Sequence, residues 1–163
     1  MIYRSGTLQD AEQLRQLGIT TWSQFKNTLT PVHFEKLLAN VGSLATYTNL
    51  FTDAHCFVCL DEDNIIGMAF LVASGQERDI YQADWCSIRF VTVHPAYTGK
   101  GIGRKLTQLC IDKAKENGEK TIALHTSEFM PNARHIYESF GFTILKELPP
   151  RLGKKYWLYT MEI

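Results

Sequence analysis

A chain of 163 residues with 45% hydrophobic content suits a single domain over residues 1–163 and carries enough apolar mass for a real core. Lys plus Arg and Asp plus Glu both number 17, so the net charge is zero; no general basic field favours nucleic acid or an anionic membrane, and any anion site must be local. The longest apolar run, Ile65 to Ala73, falls far short of the ~20 residues that span a bilayer, and Arg4, Asp10 and Glu12 crowd the start, so a soluble, cytoplasmic protein is expected.

Taken in order, Ile2-Tyr3-Arg4 reads as a short strand, and Thr7 with Asp10 three residues on signals a helix start. Leu8, Ala11, Leu14 and Leu17 form one apolar face, with Gly18 expected to end the helix and Thr20 to Phe25 to follow as a polar and aromatic connector. Thr30-Pro31 caps a second helix; Phe34, Leu37, Leu38 and Val41 face inward and Gly42 stops it. Cys56 to Leu60 and Ile65 to Val72 are strands joined by the acidic turn Asp61-Glu62-Asp63-Asn64, a hairpin. A polar excursion from Gly75 to Asp79 precedes a strand from Trp85 to Val93.

Beyond a glycine-rich loop, a helix runs from Gly101 to Asn117-Gly118, and a strand from Thr121 to Thr126. Ser127 to Asn132 is a loop, Ala133 to Phe140 a short helix ended by Gly141, and Phe142 to Leu145 a strand. Pro149-Pro150-Arg151 is expected to interrupt before a terminal strand from Tyr156 to Met161. Strands flanking helices in the centre and hairpins at the edges predict an α/β fold: a mixed sheet with helices on both faces.

Cys56, Cys59, Cys86 and Cys110 sit in apolar strand or helix patterns, which fits reduced core thiols better than disulfides. His55-Cys56-x-x-Cys59 hints at zinc, but no second ligand pair has the spacing, and strand alternation sends the two thiols to opposite faces, so no metal is expected.

The stretch that organises the chain is Phe90 to Arg104. A β-branched strand closes at His94-Pro95, three glycines alternate at 99, 101 and 103, and Ile102, Leu106, Leu109, Cys110 and Ala114 recur at helical spacing. A helix tip carries unpaired N–H groups and the positive end of the dipole, glycines let an anion approach them, and Lys100, Arg104 and Lys105 add charge beside the same spot. The pattern predicts a phosphate cradle. It is not a P-loop, for which no segment qualifies, nor the dinucleotide fingerprint, because Arg104 stands where the third glycine is needed.

Val-x-Val-His-Pro-x-Tyr followed by Gly-x-Gly-x-Gly and an amphipathic helix resembles the acetyl-CoA loop of the GCN5-related N-acetyltransferase (GNAT) superfamily. Ala133-x-x-x-Tyr137-x-x-x-Gly141-Phe142 is similar to that family's closing helix, and the two motifs stand in the family's order, one helix and one strand apart. The resemblance covers Trp85 to Leu145. It implies a central mixed, mostly antiparallel sheet and transfer of acetyl from acetyl-CoA to a primary amine by direct attack in a ternary complex.

It also implies residues. Tyr137 would sit beside the coenzyme sulfur as general acid; Val91 and Val93 would lend backbone groups to the pantetheine arm and thioester; Thr98, Gly99, Lys100, Gly101, Ile102, Gly103 and Arg104 would hold the pyrophosphate. Asn132 would either hydrogen-bond the arm or cap the closing helix. Two departures stand out: Thr98 replaces the family's usual Arg or Gln, and Ser87 and Arg89 occupy strand positions where many members place a glutamate base.

Candidate bases are Asp84, Glu128, His125 or a water chain; His125 alternatively makes a local strand hydrogen bond. Trp22, Phe25, Tyr81 and Trp85 line an acceptor pocket or belong to the core. A small-molecule amine, an amino acid and a peptide N-terminus all remain open as acceptor, as does a homodimer. The alternative function is an acyl-CoA-binding module without catalysis.

Overall fold

The computed structural model describes residues 1–163. In chain order the elements are β1 (Ile2–Ser5), α1 (Ala11–Trp22), α2 (Pro31–Val41), α3 (Leu44–Leu50), β2 (Ala54–Asp61), β3 (Asn64–Val72), β4 (Cys86–Val93), α4 (Ile102–Glu116), β5 (Thr121–Ser127), α5 (Pro131–Phe140), β6 (Thr143–Arg151) and β7 (Lys154–Glu162). The strands form one seven-stranded sheet in the order β1-β2-β3-β4-β5-β7-β6. Every neighbouring pair is antiparallel except β4 and β5, which α4 joins as a parallel crossover. The expected mixed, mostly antiparallel α/β sheet with helices on both faces is what forms.

Each face is closed by the stripe of a helix. On one, Ile102, Leu106, Cys110 and Ala114 of α4 recur every fourth residue and are all buried, against Ala69, Leu71, Cys86, Ile88, Ile122 and Leu124 of the sheet. A β-carbon on Gly67 of β3 would lie 2.8 Å from Ile102 Cγ2, so the missing side chain lets the front of α4 settle onto the strand. On the other face Leu14 and Leu17 of α1 and Tyr47 of α3 pack on Cys56, Val58, Met68 and Phe70. Cys56 and Cys59 thus fall on opposite faces, and all four cysteines are free and buried. No helix is long and apolar enough to cross a membrane.

Two expectations are corrected, and one element was not foreseen. Gly18 does not end α1, which continues to Trp22. It is buried, and a β-carbon there would overlap Tyr47 Oη, which donates a 2.6 Å hydrogen bond to Val41 O; the glycine serves the packing of α3 on α1. Residues Leu44–Leu50, for which the pattern indicated nothing, form α3. Pro149 and Pro150 do not interrupt β6 but lie within it, tolerated because β6 is the edge strand and its register to β7 slips between Leu148 and Arg151. The start and stop signals of α2 operate as expected: Thr30 Oγ1 accepts from His33 N–H at 3.4 Å, and Gly42 is the C-cap.

Candidate active site

The parallel pair β4–β5 is in register at only two positions, Cys86 with Ile122 and Ser87 with Ala123. Beyond them the strands part, and the cause lies in β4. Its register to β3 shifts opposite Ala69, and Phe90 there has φ +55°, a left-handed conformation that an aromatic residue adopts only in a strained bend. The bulge places Arg89 and Phe90 both on the α1–α3 side, where Phe90 packs on Tyr47 and Phe70, and returns Val91 and Val93 to the α4–α5 side. A bulge bends its strand, so β4 leaves β5 where the side chains change sides.

Into that split opens a cavity of about 760 Å³, in the range of small-molecule sites. Ile88, Val91, Thr126, Ala133 and Tyr137 line it from the α4–α5 side; Trp22, Leu37, Val41, Arg89, Phe90, His125 and Tyr156 line it from the other. The cavity therefore passes through the sheet. The Leu152–Gly153 turn between β6 and β7, with both φ values positive, reaches His33 of α2 at its rim.

At the exit of β4 the cradle has the expected form. Gly99 and Gly101 have φ +82° and +78°, which only glycine adopts without strain, and Gly101 is the N-cap of α4. The first hydrogen bond of the helix runs from Lys105 N–H to Gly101 O at 3.0 Å, so the preceding amides are spared for an external acceptor. Thr98 through Gly101 and Arg104 are exposed, Gly103 is half-buried and the Ile102 side chain is buried as an anchor. Arg104 lies 5.3 Å from the Phe140 ring centre, so α4 and α5 meet beside the loop. Thr98 Oγ1 donates to Pro95 O at 2.9 Å and is turned back on its own loop.

The N–H of His94 donates to Ile66 O of β3 at 2.8 Å. Alternation along an antiparallel ladder then directs the amides of Val91 and Val93 away from β3, toward the split. Only Val91 of this pair lines the cavity, and no residue from 98 to 104 does; the cradle lies outside, a few residues further along the same chain.

Tyr137 on α5 is buried to 7% exposure, lines the cavity and has no hydrogen-bond partner in the chain. Burial, with smaller contributions from Cys110 and Tyr81, pushes its phenol up from 10.0, so it stays protonated. Asn132 is not the cap of α5: Met130 holds that position and Asn132 lies in the exposed first turn. Thr126, unremarked in the sequence, has a buried hydroxyl without a partner that borders the same cavity.

Of the candidate bases only His125 reaches the cavity. Asp84 and Glu128 are exposed, and Glu128 accepts from Lys155 N–H at 3.3 Å. His125 Nδ1 is hydrogen-bonded to Tyr81 Oη, the local bond foreseen as its alternative. Burial first, then Arg89 and Arg151, drive its pKa from 6.5 to about 3. It is neutral near pH 7 and a weak base. Of the four aromatic candidates for the acceptor pocket, Trp22 lines the cavity; Tyr81 and Trp85 belong to the small core under β5 and β7, and Phe25 stacks between Trp22 and Phe129.

Fold and site together define a class: an α/β protein whose sheet splits around a cavity lined from both faces, beside a glycine-shaped helix tip. The chain belongs to the acetyltransferase (GNAT) family, whose pattern matches residues 14–142 and whose co-substrate is acetyl-CoA. Over 70 residues it is 34% identical to the L-amino acid N-acyltransferase MnaT of Escherichia coli, covering 42% of this chain and 40% of that protein. Over 94 residues it is 32% identical to N-alpha-acetyltransferase 30 of Schizosaccharomyces pombe, covering 56% and 59%. These matches span between two fifths and three fifths of the relatives' lengths. Among solved structures, the PaiA N-acetyltransferase of Thermoplasma acidophilum in complex with coenzyme A superposes with a TM-score of 0.80 at 16% identity, over 99% of this chain and 98% of that one. YncA of Salmonella typhimurium, a putative acetyltransferase with its cofactor acetyl-CoA, gives 0.71 at 18% identity, over 99% and 93%.

Proposed function

We propose that this protein transfers an acetyl group from acetyl-CoA to a primary amine, the two substrates meeting where the cavity crosses the sheet. The observation that carries this reading is the cavity itself, lined from both faces of the sheet, with an unpartnered tyrosine hydroxyl on the α4–α5 side. Acetyl-CoA supplies an activated acetyl thioester. The bare amides of Gly101 to Arg104 fit its diphosphate, and Lys100 and Arg104 add charge there without a carboxylate partner. Thr98, Gly99, Gly101 and Gly103 shape the loop and Ile102 anchors it; Asn132 and the split-facing amides of Val91 and Val93 serve the pantetheine arm and the carbonyl.

The amine nitrogen forms the new C–N bond as the C–S bond breaks. The nitrogen's surplus proton leaves to cavity water, and the departing sulfur, hydrogen-bonded by the Tyr137 hydroxyl, ends as a thiol by taking a proton from solvent. A phenol at ~10 is a weaker acid than a thiol at ~8.5, and burial raises it further. Tyr137 therefore acts by a hydrogen bond that strengthens as charge grows on sulfur, which the same burial leaves poorly solvated. No carboxylate base is needed for an amine that arrives neutral, and the burial that holds His125 neutral, with the Arg89 and Arg151 charges beside it, favours a neutral amine too.

Tyr137→Phe tests this. Thiol release from acetyl-CoA over a panel of amines is expected to fall about 100-fold or more in kcat, while the thermal shift with coenzyme A stays at the wild-type value. An unchanged kcat would remove the acid. The cavity's lack of a free carboxylate favours one other reading, an acyl-CoA-binding module; binding of coenzyme A with no turnover of any amine would select it.

A further inference from the structure

We infer that the acceptor is a free amino acid whose α-carboxylate is held by Arg89, with Lys36 and the indole N–H of Trp22 as further donors. This rests on the transferase reading above and specifies its second substrate. The ionised residues on the cavity wall are three cations, Lys36, Arg89 and Arg151, and one carboxylate, Asp79. Asp79 is already engaged by Arg151 at 2.9 Å. Arg89 has neither an ion pair nor a hydrogen bond to the chain; its neighbours are the rings of Tyr81 and Phe90, at 5.4 and 6.0 Å. A half-buried guanidinium presenting a fork of N–H donors and no counter-charge is matched by a planar anion, and the carboxylate is the planar anion that can stand one carbon from an amine.

A second observation points the same way. Trp22 belongs to the same wall, and its Nε1 lies behind the surface, buried without a partner. Indole offers only a donor, so its partner must accept. On the acceptor face the unmatched groups, Arg89, Lys36 and the Trp22 indole, are all donors, which describes a ligand of acceptor oxygens. Leu37, Val41 and Leu152 leave apolar space for a side chain. Polyamines and basic side chains would add positive charge beside unneutralised cations, and a peptide N-terminus has no α-carboxylate to offer, so both are disfavoured.

Strand alternation from Ile88 places Arg89 on the acceptor face. Had β4 continued regularly, Phe90 would have faced α4 and Val91 the acceptor side; the extra residue instead sets Phe90 beside Arg89. One guanidinium then has two effects. It fixes the carboxylate, and its charge helps the neighbouring ammonium lose its proton where no carboxylate base stands.

The test pairs each common L-amino acid with its amide, with 3-methylbutylamine and spermidine as acceptors lacking a carboxylate, and reads both thiol release and calorimetric binding to coenzyme A-saturated protein. At least one amino acid is expected to exceed its amide by about 10- to 100-fold in kcat/KM, the loss lying in KM. The amide's amine, with a pKa of ~7.7–8.0, is the more deprotonated near neutrality, so intrinsic reactivity would favour the opposite order. Arg89→Gln should abolish the preference and Arg89→Lys restore part of it, with the coenzyme A thermal shift unchanged. Should Arg89→Gln not fold, Lys36→Gln on the exposed face of α2 should still raise KM for the amino acid and not for its amide. Amides equal to or better than their acids throughout, or turnover of spermidine alone, would overturn the inference and leave the transferase standing. Absence of turnover with any acceptor would defeat the transferase reading; calorimetric preference for acid over amide would then still support the carboxylate site, and no binding of either would overturn it.

Discussion

On the α4 side of β4 the site is made of backbone: two left-handed glycines, a helix tip and strand amides facing a split, all within Phe90 to Arg104. On the α1–α3 side it is made of side chains drawn from across the chain, Trp22 from α1, Lys36 from α2, Arg89 from β4, His125 from β5 and Arg151 from β6. A backbone cradle recognises a diphosphate common to every reaction of its kind and tolerates little sequence variation, because φ near +80° admits essentially glycine. A side-chain pocket is assembled by tertiary packing and is free to vary, so it is where one acceptor is distinguished from another. On the proposed reading, cofactor recognition and acceptor specificity are separated by the thickness of one sheet.

The largest effect expected on the acceptor side away from the chemistry is at Gly18. Helix propensity alone says Gly18→Ala should stabilise α1 by about 1 kcal/mol. The β-carbon would overlap Tyr47 Oη and displace its buried hydrogen bond to Val41 O, so the substitution should instead cost about 3 kcal/mol in urea unfolding. A neutral or stabilising result would mean that α3 is free to shift and that the floor of the acceptor face is soft. Thr107→Ala on α4 keeps the helix on the cradle side and serves as the comparison, losing one hydroxyl bond to Gly103 O at 2.8 Å.

Next in size is a pH effect at the seam between the two sides. His125 is held neutral, its pKa near 3 against an ordinary 6.5. Below pH 6.5 the unfolded chain takes up a proton at this residue that the folded chain refuses, so its contribution to stability is complete above 6.5 and is lost as pH falls from there toward 3. Between pH 7 and pH 5 the loss from this group is about 2 kcal/mol. His125→Gln, which retains a polar partner for Tyr81, should flatten that slope. An equal acid loss in wild type and variant would show that His125 is not shielded as the fold implies.

How far these sides were legible follows from the same division. Gly99, Gly101 and the β4–α4 order announce themselves locally, as do Thr30 and Gly42 at the ends of α2, because each acts on its own neighbours. Gly18 looked like a stop signal because its reason, Tyr47, lies 29 residues away (47 − 18) on a helix whose short, mixed sequence shows no stripe. Pro149-Pro150 looked like a break because edge position is a property of the sheet and not of the segment. Arg89 registered in the sequence only as a missing glutamate. Its meaning required the bulge, which sets Phe90 beside it, and the pocket, which shows that no carboxylate answers it. Trp22 was legible only as one of four aromatic candidates for the pocket and Thr126 not at all, since an orphaned indole N–H or hydroxyl exists only once its surroundings are known.

The smallest expected effect sharpens the cradle side. Thr98 replaces the arginine or glutamine common at that place, and its hydroxyl is spent on Pro95 O. Thr98→Arg would trade that bond for a mobile guanidinium beside Lys100 and Arg104, all three exposed. Exposed charges of this kind contribute about 1 kcal/mol or less, so the dissociation constant for coenzyme A should tighten by no more than about fivefold, and the gain should shrink as salt is raised from 50 to 300 mM. KM for the acceptor should not move, because the substitution sits outside the pocket. Dephospho-coenzyme A, which keeps the diphosphate, should show the same gain if the new side chain meets the diphosphate. A gain confined to coenzyme A itself would place the new contact on the 3′-phosphate and shift the positive edge of the cradle away from the helix tip.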